Sequence, residues 1–191
     1  MIGFAELIRE AHPEDETIRK YTDYILRAGT NIYNLVDEMR RFAKQEHPQY
    51  QIKLASVTDA LERLLHFIRF DHLLKTRQII KEFGHVPLVP LNEEKFGQVM
   101  INLLRNAAQA TQEHSGEIVV RVSSNAEHVR VEVEDNGCGI PEADLENIWE
   151  PFFTTKGEEG TGLGLDICKR IVEEHHGTLT CRSTLHRGSI F

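Results

Sequence analysis

Four separated motifs carry the residues of this sequence that could act chemically on a ligand. They are NLLRNAAQA at residues 102–110, DNGCGIP at residues 135–141, PFFTTK at residues 151–156 and GTGLGL at residues 160–165. Amide and carboxylate oxygens can ligate a hard cation or accept a hydrogen bond, and lysines and glycine-rich backbone can bind anions. Each motif also has a purely structural interpretation.

The first motif places two amide side chains on one helix face. Asn102 and Asn106 are four residues apart, and Leu103, Leu104 and Ala107 form the opposite, apolar side. A carboxamide oxygen can ligate Mg²⁺ without adding charge. Two polar residues on a solvated helix face explain the same pattern, and for this motif alone that interpretation is favoured.

The second motif follows a predicted strand and has two interpretations of equal weight. Asp-Asn-Gly is a strong turn signal. Alternatively, Asp135 is a carboxylate at a strand end that accepts a hydrogen bond from an exocyclic amine such as that of adenine. Gly137 and Gly139 would then let the backbone approach a flat ligand.

The last two motifs combine an aromatic pair, a lysine and a glycine-rich helix start. Adjacent phenylalanines are usually core residues, whereas Lys156 beyond them can reach a phosphate as a mobile point charge. Glycines at 160, 162 and 164 leave N–H groups unpaired at the start of a helix, which favours an anion. No Gly-Lys-Ser/Thr follows and no parallel βαβ unit surrounds the motif, so neither a P-loop nor a dinucleotide fingerprint is indicated.

The elements that must position these motifs predict an α+β fold. Helical periodicity covers residues 56–74, 93–111 and 164–176, with Asn92 as a helix cap and a short helix at 144–149. Strand patterns cover residues 78–83, 86–89, 117–123, 128–134, 178–183 and 189–191. Helices and an antiparallel or mixed sheet in this order predict a two-layer α/β sandwich over residues 49–191.

The first 48 residues have a different pattern. Apolar residues recur every seven residues at Ile18, Ile25, Ile32 and Met39, and they form part of an a/d seam within residues 17–44. A shorter helix is predicted at 2–11, and a break at Pro13 follows it. This predicts a helical hairpin over residues 1–48 whose stripe pairs with a second copy as a homodimer. Packing of the stripe on the chain's own second domain is the alternative.

Composition limits the function classes. The chain has 191 residues and a net charge of −8, which disfavours nucleic acid and anionic membrane surfaces as partners. No apolar run is long enough to span a bilayer. Cys138, Cys168 and Cys181 lack CxxC spacing, so we expect free thiols in the cytoplasm, and the parent protein could be membrane-anchored through other regions.

Taken together, the four motifs resemble the ATP-binding domain of sensor histidine kinases, within the GHKL ATPase superfamily. They are similar to its N box, first glycine box, F box and second glycine box, and the segment between F box and second glycine box is short, as in kinases of the nitrogen-regulation type. Residues 17–44 are similar to the second helix of the dimerisation and histidine-phosphotransfer domain. The resemblance covers almost the whole chain and implies the GHKL (Bergerat) fold.

The resemblance implies roles for individual residues. Asn106 would bind Mg²⁺, Asn102 and Lys156 would be catalytic, and Asp135 would receive the adenine amino group. The remaining ATP or ADP contacts would come from residues lining the same pocket: Gln109, Ala110, Gly137, Gly139, Ile140, Phe152, Thr155, Gly160, Thr161, Gly162, Leu163, Gly164 and Leu165.

The activity implied is transfer of the γ-phosphoryl group of MgATP to a histidine, then to an aspartate on a response-regulator receiver domain. No His-Glu or His-Asp phosphoacceptor box is recognisable, because His12 precedes Pro13. We therefore expect this chain to bind ATP without phosphorylating itself. The alternatives are a GHKL-type ATPase, disfavoured because Asn102 stands where those enzymes have a glutamate base, an anti-sigma-like serine kinase, and a degenerate nucleotide-binding docking module.

Overall fold

The computed structural model describes residues 8, 9, 12, 14, 15, 17, 18, 21, 22, 25, 52–69, 71–157 and 160–191. Residues 48–154 and 162–191 form one compact unit, called the main unit below, and residues 1–47 and 155–161 are assigned to a second unit. The main unit contains two sheets, three α-helices and three short 3₁₀ helices.

The larger sheet has five strands in the order β2-β4-β5-β7-β6. These are β2 (Gln78–Phe83), β4 (Glu117–Ser124), β5 (Val129–Asp135), β6 (Arg182–Thr184) and β7 (Gly188–Ile190). β2 runs parallel to β4, and the other pairs are antiparallel. A smaller antiparallel sheet pairs β1 (Lys53–Ala55) with β3 (Val89–Leu91).

The helices are α1 (Val57–Ile68), α2 (Glu93–Ala110) and α3 (Gly164–Glu174), and the 3₁₀ helices are Leu74–Thr76, Glu142–Asp144 and Asn147–Trp149. Side-chain caps start the first two α-helices: Ser56 Oγ accepts from the Asp59 N–H at 3.1 Å, and Asn92 Oδ1 accepts from the Lys95 N–H at 2.9 Å. Helix α3 has no side-chain cap. Its first N–H groups therefore have no acceptor from an N-cap side chain.

The core lies between the larger sheet and the helices. Alternate residues of β4, namely Ile118, Val120 and Val122, point inward and are almost fully buried. Helix α2 covers them with apolar residues at helical spacing, among them Met100 and Leu104. Because this side of α2 is committed to the core, its opposite side is available to line a site.

The opposite sheet face carries ion pairs. Arg121 on β4 pairs with Glu82 at 2.5 Å and with Glu134 on the other neighbouring strand. The burial of one face and the charge on the other are what a two-layer sandwich requires, and the predicted α+β fold class is confirmed.

Several predicted boundaries were wrong for local reasons. The helix predicted to reach residue 74 ends at Ile68, because the Asp71 N–H bonds to the Ile68 carbonyl at 2.9 Å and Asp71 Oδ1 accepts from the Leu73 N–H. The strand predicted at 86–89 lies at Val89–Leu91, and its partner Lys53–Ala55 was not predicted. The helix predicted at 144–149 is a pair of 3₁₀ helices, and the strand predicted at 178–183 is confined to Arg182–Thr184.

The predicted N-terminal hairpin falls mostly outside the described residues. Where residues are described, Ile18, Tyr21 and Ile25 are helical, and Asp15 Oδ1 accepts from the Thr17 and Ile18 N–H groups at 2.9 and 3.0 Å. Asp15 therefore caps the start of this helix. The division into domains 1–48 and 49–191 stays a prediction.

Candidate functional site

Helix α2 supplies one wall of the candidate site. Asn102, Asn106 and Ala110 are spaced by four residues, so they follow one side of the helix at intervals of about 6 Å. All three are half-buried, whereas the intervening Leu103, Leu104 and Ala107 are in the core. The amide face predicted from the sequence is therefore present.

The loop after β5 closes against the C-terminal end of this helix. Asp135, the last residue of β5, is 5% exposed, and its Oδ1 accepts from the Gly137 N–H at 2.8 Å. The next N–H, of Cys138, donates to the Ala110 carbonyl at 3.0 Å. A Cβ on Gly137 would lie 2.5 Å from the Ala110 oxygen, so glycine is required for this approach.

The start of α3 contacts the same helix about two turns before Ala110. The Asn102 Nδ2 donates to the Gly164 carbonyl at 3.4 Å. Before it, Gly162 adopts a positive φ of 68° and its carbonyl accepts from the Phe152 N–H at 3.0 Å. Leu163 is fully buried, which anchors this turn to the core.

Asn106 therefore lies on α2 between two contacts: Asn102 with the α3 start, and Ala110 with the loop after Asp135. Helix α2 thus contacts two other segments that carry predicted site residues, through Asn102 and Gly164 and through Ala110 and the loop that contains Gly137. The other predicted residues of the main unit lie in these same segments or bond to them: Asn106, Gln109, Asp135, Gly139, Ile140, Phe152, Gly162, Leu163 and Leu165. Amides on one helix face, a buried carboxylate and a helix start without a side-chain cap are groups that can bind a ligand with a polar ring and an anionic tail.

Four predicted residues belong to the second unit. Thr155 and Lys156 are exposed, and Gly160 and Thr161 are half-buried. The Gly160 N–H donates to the Gly157 carbonyl at 3.4 Å. Their roles stay predictions from the sequence motif.

The buried carboxylate changes the chemistry of its neighbour. Burial, and then the charge of Asp135, raise the pKa of the Cys181 thiol to about 12. Burial raises the pKa of Cys168 on α3 to about 12, although a hydrogen bond with Asn102 opposes this shift. Both thiols are therefore protonated near neutral pH and are poor nucleophiles or metal ligands.

Metal binding by protein ligands alone does not fit this site. Among the residues that the structure describes, no group of three or more His, Cys, Asp or Glu side chains could hold a metal ion. An oxygen of Asn106 can be one ligand of Mg²⁺, an ion that keeps several waters and is commonly shared with phosphates. The donor set fits Mg²⁺ that arrives with a phosphate-bearing ligand.

Sequence patterns missed the residues that hold the loop in place. The Asn136 Oδ1 accepts from the Glu117 N–H at 2.9 Å, and Ser183 Oγ accepts from the Ile140 N–H at 2.8 Å. His175 Nε2 accepts from the Asn92 N–H at 3.0 Å. These partners are 19 to 83 residues apart, so periodicity could not reveal them.

Comparisons with known proteins identify the family of the chain. The sequence model of the family "Histidine kinase-, DNA gyrase B-, and HSP90-like ATPase" matches residues 91–191. The chain is 30% identical to sporulation kinase C of Bacillus subtilis over 191 residues, covering 99% of this chain and 43% of the relative. It is 30% identical to the sensory histidine kinase/phosphatase NtrB of Salmonella typhimurium over 188 residues, covering 93% of this chain and 52% of the relative.

A solved structure shows the same architecture. The crystal structure of histidine kinase ThkA in complex with the response regulator protein TrrA superposes with a TM-score of 0.76 and 26% identity, covering 99% of this chain and 54% of that one. The chain spans about half the length of the curated relatives it matches. In the described part of the chain, no helix has both the length and the hydrophobicity needed to cross a membrane.

Proposed function

The chain belongs to the histidine kinase-, DNA gyrase B- and HSP90-like ATPase family, as the ATP-binding catalytic domain of a sensor histidine kinase, and on that premise we propose how it binds MgATP and what it phosphorylates. The proposed reaction is transfer of the γ-phosphoryl group of ATP to a histidine, then to an aspartate of a response-regulator receiver domain. The observation that carries the proposal is the closure of the Asp135–Gly137 loop on the amide face of α2.

The base end of the nucleotide fits the Asp135 side. A buried carboxylate can accept a hydrogen bond from the adenine amino group, and the contact of Gly137 with Ala110 fixes the backbone beside that carboxylate. Oδ1 already accepts from the Gly137 N–H, which orients the carboxylate before any ligand arrives. Such preorganisation favours binding because the ordering cost is met on folding.

The phosphate end fits the region between Asn106 and the start of α3. The uncapped N–H groups of α3 and its dipole favour anionic oxygens. Asn106 would hold Mg²⁺, which when bound neutralises charge on the phosphate oxygens. From the sequence motif, Lys156, Gly160 and Thr161 would contact the phosphates, with Lys156 as a γ-phosphate contact.

The chemical step needs a nucleophile and no strong base in this domain. A neutral imidazole nitrogen attacks the γ-phosphorus, the bond to the β-γ bridging oxygen breaks, and ADP leaves. This chain contributes position and charge: Asn102 bonds to the Gly164 carbonyl and so fixes the distance between α2 and the phosphate-binding turn. An amide at position 102 cannot deprotonate water, which favours transfer over hydrolysis.

Calorimetric titration with ATP, in Mg²⁺ and in EDTA, tests the site. Asn106→Ala should remove most of the Mg²⁺-dependent gain in affinity, and Asp135→Asn should lower affinity for ATP in both conditions. Asn125→Ala is the matched control, because Asn125 lies in the β4–β5 turn at the far end of β5 and bonds only within that turn in the described contacts. ATP binding unchanged in both site variants would refute the site, and absence of ATP binding in the parent chain would indicate a docking module.

Reaction class is tested by supplying the acceptor. Incubation of this chain with labelled ATP and a separate histidine-bearing helical hairpin should give acid-labile label on the hairpin. Release of inorganic phosphate without labelled protein would instead support the ATPase alternative. A receiver domain added afterwards should take the label onto an aspartate.

We also propose that the helical hairpin predicted from the sequence over residues 1–48 forms a homodimer. Ile25 and Tyr21, two residues of the heptad stripe, are 41% and 61% exposed. Burial of such a stripe in a second copy releases apolar surface from water. Light scattering after size exclusion should give a dimeric mass, and Ile25→Glu should reduce it to a monomer.

We further propose a cytoplasmic location, which is expected from three free cysteines.

A further inference from the structure

The loop between Gly137 and Ile140 is held by three different elements. Its first N–H bonds to the Asp135 carboxylate, and its second bonds to the Ala110 carbonyl on α2. On the opposite side, the Ile140 N–H donates to Ser183 Oγ on β6 at 2.8 Å. The loop that shapes the base end of the site is therefore tied to the β6–β7 hairpin by the Ser183 hydroxyl, and also by the His186 N–H, which donates to the Cys138 carbonyl at 2.7 Å.

The Ser183 hydroxyl has three partners within hydrogen-bond distance. Besides the Ile140 N–H, it lies 2.9 Å from the Gly188 carbonyl and 2.9 Å from Ser189 Oγ. A hydroxyl has one hydrogen and two acceptor lone pairs. If Ser183 donates to Gly188, it accepts from both Ile140 and Ser189, and its bonding capacity is complete.

This hydroxyl network reaches the residue that is paired with Asp135, the proposed base-binding residue, in the sheet. Ser189 is 4% exposed and is the register partner of Asp135 in the antiparallel β5–β7 pair. Ser183 therefore bonds on one side to the loop residue Ile140 and on the other to the residue paired with Asp135. A change at Ser183 shifts the loop and the strand next to the carboxylate together.

We propose that Ser183 is a positioning residue for base selectivity: it sets the placement of the 137–140 loop relative to Asp135 and thereby the preference for a 6-amino purine. This inference rests on the proposed ATP site. Ser183 does not touch the base in this account; it acts through Ile140 and Ser189. Its loss leaves the Ile140 N–H without its acceptor. The Ile140 end of the loop is then released from β6, while the His186–Cys138 bond still holds the middle of the loop.

The test is the ratio of affinities for ATP and inosine triphosphate, which differ at the purine 6-position. Ser183→Ala should reduce that ratio by about three- to tenfold, the range expected for one lost hydrogen bond. Ser183→Thr, which restores the hydroxyl, should recover the parent ratio. Ser123→Ala, at an exposed position of β4, is the matched control and should leave the ratio unchanged.

The outcomes separate this inference from the proposed function. A parent chain that binds neither nucleotide overturns the ATP site itself. A parent that prefers ATP, together with a Ser183→Ala variant that keeps the parent ratio, overturns only the role of Ser183, even if its melting temperature falls. If Ser183→Ala does not fold, Ser183→Cys, with similar volume and a weak acceptor, makes the same comparison.

Discussion

Substitution of Gly137 by alanine is the sharpest test of how the site is closed. The added Cβ would lie 2.5 Å from the Ala110 oxygen, 2.7 Å from the Ala110 carbonyl carbon and 2.7 Å from Asp135 Oδ1. Two of these atoms belong to helix backbone, which cannot rotate away as a flexible side chain can. The overlap should cost about 1–3 kcal/mol of folding stability, and the melting temperature should fall by about 2–4 °C for each kcal/mol.

The same change should weaken ATP binding by about tenfold or more, because the carboxylate must move together with the loop it supports. Gly97→Ala is the control: Gly97 lies in α2, and nothing is within 4 Å of its added Cβ. That variant should be more stable by about 1 kcal/mol, as expected for alanine in a helix interior. For both variants, calorimetry measures the melting temperature and nucleotide titration measures the ATP affinity. A Gly137→Ala protein with parental melting temperature and ATP affinity would refute the argument.

Three further predictions concern side chains of the main unit. Burial opposes the charge of Asp71, but hydrogen bonds from Arg105 and a backbone N–H outweigh it and hold the pKa of that carboxyl below its usual value. Asp71→Asn should therefore lower the free energy of unfolding at neutral pH. In urea titrations the difference from the parent protein should shrink as the pH falls through the pKa of Asp71 in the folded state. Cys138 is exposed and burial raises the pKa of Cys168 to about 12, so iodoacetamide should label Cys138 first by mass spectrometry; equal labelling would contradict this. His175→Phe should lower the free energy of unfolding in denaturant by about 1–3 kcal/mol, because the Asn92 N–H that donates to His175 Nε2 loses its acceptor. An unchanged denaturation midpoint would be inconsistent with that bond.

Sequence periodicity predicted the elements whose signals are local. The apolar stripe of α2 from Val99 to Ala108, and the alternation of apolar and polar residues in β4 and β5, identify which face of each element is buried. Asn92 was identified as a helix cap from its position alone. The order of the four motifs along the chain was enough to predict the family, and the family is confirmed.

The features that were missed depend on long-range contacts. A three-residue strand such as Lys53–Ala55 has too few residues for a period, and it exists because Val89–Leu91 pairs with it. The hydroxyl of Ser183 became significant only when folding placed it beside Ile140, 43 residues away. The end of α1 depended on a turn made by Asp71, whose side chain also bonds to Arg105 on α2.

Helix α2 is attached at both ends, at Asn92 through His175 and at Ala110 through Cys138. If the attachment at Asn92 is lost, the helix can tilt about its attachment at Ala110. Asn106 is about 6 Å along the axis from Ala110, so a tilt of about 10° would move the amide sideways by about 1 Å. Displacements of about 1 Å at a reacting centre can cost about a hundredfold in rate. Substitutions remote from any nucleotide, at the last turn of α3, can therefore lower turnover while leaving every ligand-contacting side chain intact.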